Sequence, residues 1–214
     1  MGWLYLAIGT GISLLLSVIL LTGKSHGALF EKTFPVEIPL FAILGATGGL
    51  LTFTSDRTKG VFEYLLSYRV SPRRLFVDGL VSTAAMVSIV LTLVLSVGIG
   101  AALARGVSLD MDFVKSVGYY TIPMSFAGAL LTATVGMIWS SVSTPRSGIN
   151  SPVGISPMVG VGPAILVLVA AESVPASDFY YVTVGAASAI VAIVVVLLLL
   201  SSVLMGRERF LSPL

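Results

Sequence analysis

The sequence predicts an all-α integral membrane protein that crosses the bilayer six times, with both termini cytoplasmic and a short helix between the second and third spans. Three observations predict it. Of the 214 residues, 56% are apolar and only 10% charged, with a mean hydropathy of +1.04, well outside the balance of a water-soluble domain. Runs near the roughly 20 apolar residues that a helix needs to cross the hydrocarbon core recur from end to end. The few charges gather between these runs and divide unequally.

The runs are Trp3–Thr22, Ile38–Thr54, Leu75–Ala104, Tyr119–Ser140, Val153–Ala171 and Tyr180–Met205, read as one transmembrane domain over 1–214. The first is expected to be a retained span rather than a cleaved leader, because no Lys or Arg precedes it and Trp3 and Tyr5 suit interfacial anchors. Arg57, Lys59, Arg69, Arg73, Arg74, Arg146, Arg207 and Arg209 fall on one side and Lys24, Lys32, Arg105 and Lys115 on the other. Eight basic residues against four assign the first set to the cytoplasm. The second side also carries Glu31, Glu37, Asp110, Asp112, Glu172 and Asp178, and a multi-pass protein of the plasma membrane is the expectation.

No span has a Lys, Arg, Asp, Glu or His near its centre. Proton relays and ion-coupled transport normally need such groups at membrane depth, so any transport is expected to draw its energy from another chain. Gly45 and Gly49 make a small-xxx-small pair, suited to packing within the chain or to a dimer contact. Cysteine is absent, so no disulfide, thiolate metal site or cysteine nucleophile is available. The one histidine, His26, is placed in an external loop with no carboxylates to share a metal. Ser147-Gly148-Ile149-Asn150-Ser151 has no base to activate a serine and reads as a turn. The chain lacks a P-loop, and a formal charge of +2 gives no reason to expect nucleic acid.

The segment 55–74 is the informative one, holding five of the twelve basic residues. From Val61 to Arg69 nothing breaks a helix, and Phe62, Leu65, Leu66 and Arg69 recur at i, i+3, i+4 and i+7, with Glu63 and Ser67 on another face. Gly60 precedes this amphipathic helix, and Ser71-Pro72 is expected to stop it. On composition alone such a finger could rest on anionic lipid.

The order Lys59-Gly60-Val61-Phe62-Glu63-Tyr64-Leu65-Leu66, then Val70-Ser71 and Asp78-Gly79, resembles the signature of type-2 ABC exporter permeases. Gly60, Phe62, Glu63, Leu65, Leu66, Val70, Ser71 and Gly79 agree with that pattern, over about 25 residues. Pro152, Pro157 and Pro163 near the fifth span and the basic tail Arg207-Glu208-Arg209-Phe210 extend the likeness. Arg69 departs from it where the family commonly has proline, and Leu80 where it has lysine. The family also commonly places an interfacial helix before the first span, whereas Trp3 here follows directly on Met1-Gly2.

The resemblance implies a transport subunit with no catalytic or metal site of its own. Two permease copies, a homodimer by default with a heterodimer as the variant, would enclose the pathway in the lipid. Separate cytoplasmic ABC ATPase subunits would bind ATP and Mg and drive it. The segment 55–74 would then be the coupling helix, with Arg57, Lys59, Gly60, Phe62, Glu63, Leu65, Leu66, Arg69 and Ser71 as the ATPase-coupling residues. Three other readings stand beside it: a membrane-embedded enzyme, which would need ionisable residues at depth, a non-transporting assembly scaffold, and a haem-exporter-type permease of cytochrome c maturation.

Overall fold

In the computed structural model, Gly11 and residues 26–142 and 178–204 are described, and these contain helices and no strand. Chain order gives α1 (His26–Thr58), α2 (Val61–Ser67), α3 (Pro72–Ala104), α4 (Met111–Lys115), a π-helical turn (Ser116–Thr121), α5 (Ile122–Val142) and α6 (Phe179–Leu204). Four stretches are long and apolar enough to cross a membrane: 37–58 in α1, 72–104 in α3, 111–141 through α4, the π turn and α5, and 180–199 in α6. They correspond to the second, third, fourth and sixth predicted spans. The first (Trp3–Thr22) and fifth (Val153–Ala171) lie outside the described residues, as do Lys24, Arg146, Arg207 and Arg209.

Two of the expected boundaries are corrected. α1 begins at His26 rather than Ile38, so His26, Glu31, Lys32 and Glu37, expected in a loop, are helical. The reason is a buried stripe, Phe30, Phe34, Ile38 and Phe41, which keeps helical spacing past Pro35 and Pro39 and is closed by tertiary packing. The rings of Phe30 and Phe34 stack at 4.8 Å, and Phe113 of α4 lies 5.9 and 6.4 Å from them. Likewise the fourth helical stretch starts at Met111, and it passes through a π turn before Pro123. That proline lacks the amide that would have bonded the Tyr119 carbonyl.

α1, α3 and α5 share one core. Gly45 and Gly49 are buried against α3 of the same chain: a Cβ on Gly49 would fall 2.7 Å from Thr83 Cβ, and one on Gly45 3.1 Å from Val87 Cα. Packing inside the chain is therefore what these two glycines do here, since helices in lipid gain by close backbone approach at small residues. Hydroxyls along the helices cap their own polarity. Thr47, Thr83, Thr132 and Ser141 each donate to the carbonyl four residues back at 2.8 or 2.9 Å, so they add no unsatisfied donor to an apolar bundle.

Candidate functional site

α2 is held as a finger between α1 and α3, and its ends are built by identifiable local chemistry. Gly60 takes φ 73° at its N-cap, a left-handed conformation that costs glycine nothing. The Gly60 carbonyl accepts from the Tyr64 amide at 3.1 Å to open the helix, and Glu63 sits in the first turn, where a negative charge suits the helix dipole. The finger stops at Ser67, two residues earlier than the pattern to Arg69 suggests.

A Schellman motif ends it. The Arg69 amide donates to the Leu66 carbonyl at 3.2 Å and the Val70 amide to the Leu65 carbonyl at 3.4 Å, and Val70 and Leu65 both pack on the core. Arg69 occupies the left-handed position with φ 64°, which is usually glycine's. The same pairing closes α3, where Gly106 holds that position at φ 73°. Proline at this position could neither reach this φ nor supply the amide.

Ser71-Pro72, expected to stop the finger, instead starts α3. Ser71 Oγ accepts from the Arg74 amide at 3.3 Å and Pro72 fills the first helical position, where a missing amide costs nothing.

The finger's two faces separate cleanly. Phe62 and Leu66 point inward and are 6% and 1% exposed. The Phe62 ring meets Phe53 of α1 edge-on at 4.9 Å, and Phe53 in turn meets Phe76 of α3 at 6.2 Å. Gly79 belongs to the same knot, because a Cβ there would lie 2.7 Å from the Phe53 ring. Leu65 is half-buried. Outward stand Glu63, Tyr64, Tyr68 and Arg69 with Lys59 at the near end, all exposed, while Arg57 is half-buried.

Tyr64 Oη donates to Tyr68 Oη at 3.3 Å with the rings at 4.9 Å. That hydrogen bond, with some desolvation, holds the Tyr64 phenol above the ordinary tyrosine range. Glu63 enters no ion pair among the described residues. The predicted coupling residues are thus brought together in space but split between a buried seat (Phe62, Leu66), structural joints (Gly60, Arg69, Ser71) and a polar outer face (Lys59, Glu63). The exposed tyrosine pair is what the sequence reading missed. Its signal was present as Val61, Tyr64 and Tyr68 at helical spacing.

Glu37 was also missed. It is 9% exposed, and its Oε2 has no hydrogen-bond partner among the described residues. One turn from both Phe34 and Phe41, it shares the buried stripe of α1, and extending that periodicity back from Ile38 would have exposed it. Among the described residues no three His, Cys, Asp or Glu side chains gather to hold a metal. No family model, curated protein or solved structure matches the chain.

Proposed function

We propose that the chain is the membrane permease subunit of an ATP-driven exporter, a dimer in the plasma membrane with six spans per copy. Both termini are cytoplasmic, and the finger is worked by separate ATPase subunits that bind ATP and Mg. The observation that carries this reading is the two-faced finger. Its inner face is anchored on the Phe53 ring of α1, which meets Phe76 of α3, and its outer face presents Glu63, Tyr64, Tyr68 and Arg69. A helix so seated cannot move without turning α1 and α3, which is what a nucleotide-driven rigid-body motion needs to grip. The likeness of Gly60 to Gly79 to the exporter signature points the same way.

The exposed tyrosines and basic residues favour one competing reading, a finger resting in the headgroup layer of a non-transporting scaffold. Glu63→Lys separates the two. On lipid, an added basic group strengthens attraction by about 1 kcal/mol and function survives. In a protein cleft, breaking a pair made by Glu63 costs on the order of 3 to 5 kcal/mol, so copurification of the ATPase and its stimulation by the permease should both fall sharply. Full retention of both by well-expressed Glu63→Lys would return the finger to the membrane surface.

A further inference from the structure

Between α2 and the two spans that hold it lies a cavity of about 200 Å³. α1 lines it with Thr52 and Asp56 and α3 with Asp78 and Ser82, one turn apart in each case, while Phe62 and Leu65 of α2 give it an apolar wall. Size limits the occupant. Sites for drug-sized molecules run to roughly 300 to 1,000 Å³, so this one accepts a single side chain or a small ion.

Chemistry narrows the choice further. Two carboxylates on different helices face one space and call for positive charge, and the apolar wall calls for an aliphatic stem beneath it. Divalent cations take six or more oxygen ligands, or an octahedral shell, and no third acid joins this pair among the described residues. Among the described residues no Lys or Arg lines the site. Arg74 approaches Asp78 only to 3.9 Å, both side chains being largely exposed. Asp56 is half-buried and has no ion-pair partner among the described residues.

We propose that this cavity receives a lysine or arginine side chain from the partner on the finger side, its stem along Phe62 and Leu65 and its charge between Asp56 and Asp78. The proposal rests on the permease reading only in taking that partner to be the ATPase. A side chain seated there touches α1, α2 and α3 together. It would tie the finger to both spans from beneath while Glu63 and the tyrosines engage the outer face.

The test uses the whole chain in lipid nanodiscs with methyl-labelled valine and leucine, titrated with Nα-acetyl-arginine methylamide. The Val61, Leu65 and Leu75 methyls, all at the cavity, should shift saturably. Binding should weaken at least tenfold in the isosteric Asp56→Asn/Asp78→Asn variant and persist in Glu63→Gln, on the outer face. Equal binding by the double variant, equal binding of the norleucine analogue, or the same shifts from calcium chloride alone would each overturn the proposal. So would undiminished copurification, with the double variant, of an ATPase that copurifies with the unmodified chain. If the probe binds as expected and no ATPase ever copurifies, the cavity stands and the permease reading falls.

Discussion

Glu37 shows what a single residue can hide from a reading by hydropathy. A carboxyl at the end of an apolar run looks like a loop residue, because the run is scored by composition and a charge ends it. The structure instead continues the helix and buries the side chain, for Phe34 and Phe41, one turn to either side on the same face, are buried as well. A buried carboxyl oxygen without a partner costs about 1 to 3 kcal/mol. Glu37→Leu, which removes that group and adds apolar volume of similar length, should therefore raise the stability of the purified chain by about 1 kcal/mol or more, read as an upward shift in Tm. A fall in Tm would show that Glu37 contributes a favourable interaction that outweighs its desolvation.

The finger was legible as an element and only half legible as a surface. Periodicity groups Phe62, Leu65 and Leu66 on one face but cannot say whether that face meets a partner, lipid or the chain's own core, and here Phe62 meets Phe53, whose ring in turn meets Phe76. Its C-terminal limit was invisible for a different reason. Schellman closure depends on one residue adopting positive φ, and nothing in the identity of Arg69 announces that. The conformation at this position thus has a physical consequence. Arg69→Pro should lose the bond to Leu66 and force the turn open, destabilising the chain by roughly 3 kcal/mol. Arg69→Gly should gain up to about 1 to 2 kcal/mol by relieving the left-handed strain. Thermal denaturation of both variants checks the pair, and a well-tolerated proline would mean that the joint is not fixed as described.

At the scale of the whole molecule, four of the six predicted spans coincide with long apolar helices. Their centres were readable because roughly 20 apolar residues in a row have few other uses. The starts of α1 and of the α4–α5 stretch were not, since packing sets them rather than the bilayer; α3, read as Leu75–Ala104 and found as Pro72–Ala104, was legible although it too runs past what the bilayer requires. The same excess length has a consequence for how the chain is held together. α1 and α3 have 33 residues each, about 50 Å at 1.5 Å per residue. A hydrocarbon layer of about 30 Å is matched by roughly 20 residues. Counted from Asp56 and Asp78 at the finger end, that reaches the neighbourhood of Glu37 on α1 and Gly98 on α3. On this count Phe34, whose ring lies against Gly98, stands at that edge, and the Phe30 ring stacked on it and the tilted Phe113 ring lie past it.

One continuous bundle is thus folded in two solvents. Its lipid-facing part is held by close packing and internal hydrogen bonds, which gain little from expelling water. Its far end is held by the ordinary aqueous hydrophobic effect, which chaotropes weaken. Moderate urea should accordingly speed amide hydrogen exchange around Phe30 to Phe34 and Met111 to Lys115, while the stretches around Gly45 to Gly49 and Thr83 to Val87 keep their protection. Uniform loosening along α1 and α3 would mean that the bilayer's edge does not divide the bundle. With that division, the far end can open and reclose without disturbing the finger, so that a single helix is mobile at one end and fixed at the other.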